Sequence, residues 1–188
     1  MTILSRNFFN RDTIQIAKEL LGCKLVRTIN NETFSGIIVE TEAYTQDDPA
    51  CHACRGRTPR TLTMYKQPGI AYVYFIYGMY HCLNFVTEEE ETAGAVLIRA
   101  LEPVPPLENT DGPGKLCREM DITRKLNEVD VTNPDSALIV KEFMEVPDEN
   151  IVTATRIGIK KAADYPWRFY IKDNVYVSRP KATKLINK

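Results

Sequence analysis

The segment IAYVYFIYGMYHCLNFV, residues 70–86, restricts the possible folds more than any other. Two aromatic and β-branched runs lie on either side of Tyr77-Gly78-Met79, a spacing that suits an antiparallel hairpin. The outgoing strand covers Ile70 to Ile76 and the return covers Tyr80 to Val86. An antiparallel sheet follows, and the remaining sequence supplies its partners. KLVRTI and TFSGIIVETEAY read as two strands that turn at Asn30-Asn31, and AGAVLIRAL as a strand buried on both faces. LIVKEF, VTATRIGI, RFYIK and VYVS read as later strands. Asn10 or Asp12 is placed to cap a helix with the apolar stripe Ile14, Ala17, Leu20 and Leu21, which Gly22 ends. GPGKLCREM and DITRKLNEVD carry two shorter helices. Residues 45–69 form a long polar loop rich in Pro, Gly and Arg. The order of elements predicts an α+β fold, a single domain over residues 1–188.

The 188 residues suffice for a sizeable core. No stretch reaches about 18 apolar residues, so no membrane helix is expected. The start MTILSRNFFNRD lacks the apolar core of a signal peptide, and a cytoplasmic location is expected. Five cysteines, an odd number, are expected as thiols. The formal net charge of −1 is uninformative, but its distribution is uneven. Residues 156–188 hold nine Lys/Arg against two Asp/Glu, and the loop carries Arg55, Arg57, Arg60 and Lys66. Such runs form either a solvated surface or a basic face for an anionic partner.

Several residues are odd enough to carry chemistry. The period of two puts Glu40, Glu42 and Tyr44 on one strand face, with Val39, Thr41 and Ala43 on the other. The two carboxylates are either an acid/base pair or solvated charge. Arg99 is the one charge inside the apolar run AVLIRAL, which calls for a carboxylate or a ligand anion; Glu40 and Glu42 are the candidates. Asn84, in an apolar strand, belongs to a structural network or to a site. Cys51-His52-Ala53-Cys54 has zinc-ligand chemistry but lacks a second convincing ligand pair. Cross-strand packing accounts for Tyr72. It accounts poorly for Tyr77 at the turn, where a ring can instead wedge into stacked bases.

Taken together, AKELLGCKLVR, GIIVETEAY, the His52 loop with RTPR, PGIAYVYFIYGMYHCLNF, AVLIRALEP, GPGKLCREM and WRFYI resemble the alkyladenine (3-methyladenine) DNA glycosylases over most of the chain. The resemblance implies a mixed domain around a curved antiparallel sheet with a protruding β-hairpin and flanking helices. It implies a monofunctional hydrolase of base excision repair that flips damaged purines out of duplex DNA, with no metal or other cofactor. Glu42 matches the carboxylate that activates water, and Arg99 the arginine beside it. Tyr44, His52 and Tyr74 match the groups around the flipped base, Asn84 the residue that screens bases at the pocket mouth, and Tyr77 the tyrosine that fills the vacated space. Arg55, Arg57, Arg60, Lys66, Met79 and Lys115 are the candidate DNA-backbone contacts. Damaged duplex DNA is the expected partner, and a monomer the expected state. The chain departs from vertebrate members in a loop one residue shorter between Tyr44 and His52, and in His81, where they carry an aromatic. The rival reading of the same aromatic and basic surface is a non-catalytic nucleic-acid-binding domain. A zinc-dependent hydrolase is the third.

Overall fold

The computed structural model describes residues 1–179. Eight strands form one antiparallel sheet: β1 (Lys24–Ile29), β2 (Glu32–Thr45), β3 (Ala71–Ile76), β4 (Tyr80–Val86), β5 (Gly94–Pro103), β6 (Leu138–Lys141), β7 (Ile151–Ala154) and β8 (Arg168–Ile171). Their spatial order is β3-β4-β5-β2-β1-β6, and β8 joins β7 to β2. The sheet curls into a half-barrel, and the β3–β4 hairpin forms one end of it. Three helices flank the sheet: α1 (Arg6–Phe9), α2 (Thr13–Glu19) and α3 (Pro113–Glu119). Asp12 caps α2 by accepting from Gln15 N at 2.8 Å, as its position in the sequence suggests.

The period of two divides the sheet cleanly. Ala71, Val73, Leu83, Phe85, Val96, Ile98 and Ala43 turn to one face, where Ile16 and Ala17 of α2 and Leu116 and Cys117 of α3 complete the main core. The opposite face carries Tyr72, Tyr74, Asn84, Leu97, Arg99, Glu42 and Tyr44 around a cavity. Strand β5 is buried from Gly94 to Leu101, consistent with its unbroken apolar run.

The structure corrects several expectations. VYVS is not a strand. Asp173 takes a positive φ of 58° and Asn174 Oδ1 accepts from Tyr176 N at 2.9 Å, so the chain turns there. Of VTATRIGI only Val152 to Ala154 pairs, as the end of the strand Ile151–Ala154, and beyond it Arg156 and Ile157 turn to buried side-chain partners. LIVKEF pairs only as far as Lys141, and DITRKLNEVD holds one 3-10 turn, Arg124–Leu126. The long loop contains two more such turns, His52–Arg55 and Leu62–Tyr65. Val39 does not share a cluster with Ala43. The β2–β5 register shifts on both sides of Glu40, and Val39 packs with Ala100, Val152 and Val177.

Candidate active site

Both carboxylates meet one arginine. Arg99 Nε lies 3.0 Å from Glu40 Oε1, and its Nη1 lies 3.2 Å from Glu42 Oε1. Both glutamates are fully buried, which removes the reading of Glu40 and Glu42 as solvated charge. Burial opposes the Arg99 charge, but the two carboxylates outweigh it and raise Arg99 above its ordinary value. Glu40 is also held by Ser178 N at 2.8 Å and approached by Arg168 Nε at 3.7 Å. Glu42 has a different environment. It accepts from Tyr44 OH at 2.7 Å and from Ile157 N at 2.8 Å, and it borders the cavity, whose volume is about 320 Å³.

The walls of that cavity are aromatic. Tyr44, His52 and Tyr74 all line it, and the His52 and Tyr74 ring centroids are 4.7 Å apart. Burial first, then the Glu42 charge, pushes the Tyr44 hydroxyl well above its usual range, so it stays protonated as a donor to Glu42. His52 Nδ1 is 3.1 Å from Tyr72 OH, and its Nε2 is 3.5 Å from Arg60 Nη2. An arginine can only donate, so Nε2 is the acceptor and Nδ1 carries the proton. Burial and the Arg60 charge lower His52 to about 4, which keeps the ring neutral. Asn84 is buried, and its Nδ2 donates to Tyr72 O at 3.0 Å, which fixes the amide at the cavity wall.

At the hairpin tip Tyr77 is 77% exposed with φ 54°, and Gly78 follows at φ 68°. Two successive positive φ values are what a type I′ turn demands; glycine meets them freely, a tyrosine only at a cost. Tyr77 still borders the cavity, and the neighbouring Met79 and Tyr80 are exposed with it. Helix α3 closes the cavity's other side: Gly114 approaches the Tyr80 ring so closely that a Cβ there would lie 2.7 Å from Tyr80 Cδ1.

The seven residues singled out as catalytic, pocket-lining or intercalating thus border one cavity. The backbone-contact candidates do not line it. Arg55, Arg57, Arg60, Lys66, Met79 and Lys115 are all exposed, but Arg57 pairs with Glu91, Lys66 with Glu128 at 2.5 Å and Lys115 with Asp111 at 2.7 Å. The basic C-terminal run is only partly a surface. Arg156 and Arg168 are buried, and Lys181, Lys184 and Lys188 lie outside the described residues. The ligands of a zinc site in CHAC are not assembled. The Cys51 thiol is buried, pushed up to about 12 by that burial, and accepts from Ala53 N; Cys54 faces solvent, and His52 is engaged by Tyr72. Among the described residues no three His, Cys, Asp or Glu side chains gather as a metal-holding group.

Sequence reasoning missed the supports of the site. Arg156 forms a buried pair with Asp48, Nη2 to Oδ1 being 3.0 Å, and donates to Ala43 O at 3.0 Å. Its guanidinium lies between the Tyr44 ring at 4.7 Å and the Trp167 ring at 5.1 Å. The sequence around Arg156, VTATRIGIKK, is mixed in polarity and gave no such signal as the apolar run around Arg99.

An aromatic-walled cavity beside a buried carboxylate, under an exposed aromatic hairpin, has the layout of an enzyme that handles single bases of DNA, and the chain is a DNA glycosylase, a hydrolase of DNA repair. More narrowly, it belongs to the methylpurine-DNA glycosylase family, whose model matches residues 7–175. A relative from Carboxydothermus hydrogenoformans is 47% identical over 94% of this chain and 99% of its own length. One from Wolbachia pipientis subsp. Culex pipiens is 50% identical over 97% of this chain and 96% of its own. Both are provisionally named 3-methyladenine DNA glycosylase.

Proposed function

We propose that the protein releases damaged purines of the 3-methyladenine type from duplex DNA by hydrolysing the N-glycosidic bond, leaving an abasic site. A base within the stack is out of reach, so the nucleotide must turn out of the duplex. In this reading Tyr77 fills the space it leaves. The base enters between Tyr44, His52 and Tyr74, whose electron-rich faces favour a cationic alkylated purine. The Asn84 amide clashes with an exocyclic amino group and so screens bases at the mouth.

Glu42 acts as the general base. As the bond from C1′ to the purine nitrogen breaks, its electron pair leaves with the base, and an alkylated purine departs as a neutral molecule. Water oxygen bonds to C1′ and its proton passes to Glu42. The carboxylate charge also favours the oxocarbenium character that develops on the sugar. Arg99 orients Glu42, and Tyr44 OH and Ile157 N hold its oxygens.

The observation that carries this reading is the buried Glu42 at the edge of a cavity with three aromatic walls. The test is Glu42→Gln, which keeps the shape but cannot take the proton. Base release should fall at least about 100-fold while affinity for lesion-bearing duplex stays within a few-fold. Release at the wild-type rate would move the base role to Glu40.

A further inference from the structure

Strand β3 is an edge of the sheet. Its outward backbone groups alternate with those that pair to β4. Ala71 N donates to Val129 O at 2.8 Å, Glu128 N to Ala71 O at 2.7 Å and Val73 N to Asn127 Oδ1 at 2.9 Å. The covering segment stops there. Phe75 is next in the alternation, 42% exposed, and its N–H faces outward beyond that cover.

A cleft of about 420 Å³ opens beside this edge, bounded by Arg60, Thr63, Phe75, Arg124 and Asn127. No carboxylate lines it. Three other exposed or half-exposed arginines have acid partners: Arg6 with Asp130, Arg11 with Glu19 and Arg57 with Glu91. No ion pair among the described residues takes up Arg60 or Arg124. Arg60 leans on the Tyr74 ring at 5.1 Å. Arg124 opens a short turn anchored by the buried Leu126. Asn127 is a wall rather than a ligand, because its amide is already spent on Val73 N and Thr63 Oγ1.

We infer that this cleft is a phosphate site that holds one backbone phosphodiester of the DNA duplex, close to the nucleotide whose base enters the aromatic cavity. The inference rests on the function proposed above and adds to it a contact, Arg124, that neither the family motifs nor the basic runs mark. Guanidinium forks match phosphate oxygens, and an outward backbone N–H adds a donor. The position fits: Tyr72 and Tyr74 line both the cavity and the cleft, and β3 runs on into the Tyr77 tip. A strand with its base in one therefore has its backbone beside the other.

The test is Arg124→Ala, an exposed change that leaves the core intact. Binding to a lesion-free duplex is followed by fluorescence anisotropy across a salt titration. Losing one phosphate contact should reduce the slope of log affinity on log salt by about 0.9 in magnitude and weaken binding about fivefold at the lowest salt. An unchanged slope would overturn the site. So would an equal change in Lys141→Ala, on β6 at the opposite end of the sheet from β3, since net charge alone would then explain it. The duplex carries no lesion, so this outcome is independent of Glu42→Gln: the phosphate site and the base-release reading can fail separately.

Discussion

Replacing Tyr77 by glycine separates what the hairpin tip does for the fold from what it does for DNA. The ring is 77% exposed and its φ of 54° is left-handed. That conformation costs a non-glycine residue about 1 kcal/mol, which glycine recovers. Glycine also loosens the unfolded chain, at a cost of about 0.5–1 kcal/mol. The two nearly cancel. At about 2–4 °C per kcal/mol for a chain of this size, Tm should move by no more than about 2 °C. The effect on DNA should be much larger. Lost ring-on-base stacking is worth about 1–3 kcal/mol, so release from duplex should slow about 5- to 150-fold. Tyr72→Ser should do the opposite to stability. Tyr72 is 3% exposed, packs beside Met64 and Tyr65, and bonds His52. Losing it should cost about 3–5 kcal/mol, or about 6–20 °C in Tm. The assay is a thermal melt beside single-turnover release from a duplex with one lesion. A Tyr77→Gly protein that melts more than about 5 °C below wild type would show a packed ring. One that releases base at the wild-type rate would refute the wedge.

Other outcomes are equally specific. Base release should survive prolonged EDTA treatment and dialysis; loss on chelation with recovery on zinc would revive the CHAC site. Affinity for duplex should fall steeply with salt despite the net charge of −1, with a log–log slope near −3.6 for about four phosphates. His52 is lowered to about 4, first by burial and then by Arg60, against about 6.5 when unfolded. Protons therefore favour the unfolded chain between those values, and the stability present above the upper one is lost as pH falls toward the lower. Between about pH 7 and 4.5 the wild-type Tm should drop further than that of His52→Gln; equal drops would remove His52 from the acid response.

The hairpin, β1, β2 and β5 were legible because each buries one or both faces, and alternation records that directly. The site was legible for a related reason. Arg99 and Asn84 break apolar runs, and a polar group in such a run must find partners; here these are Glu40 and Glu42 for Arg99 and Tyr72 O for Asn84. The placing of His52 came only through the family resemblance, since no periodicity spans residues 45–69. Charge counting misread Arg156 and Arg168, because a tally does not distinguish a cation facing water from one facing a buried acid. VYVS failed because its apolar spacing suits a strand, while the Asp173-Asn174 turn before it decides where the backbone hydrogen bonds go. Helix α1 is four residues long, too short to leave a pattern.

The buried Asp48–Arg156 pair sorts the molecule's electrostatics into two populations. Both side chains are closed to solvent, so dissolved ions that screen Arg55, Lys160 or Arg124 at the surface hardly reach it. Yet this pair joins the segment leading to His52 with the one that donates Ile157 N to Glu42, and it backs the Tyr44 ring. Ionic strength should therefore act as a selective dial. On the proposed mechanism it should set how often the protein meets DNA, while the Glu42 chemistry on a nucleotide already seated should change far less with salt.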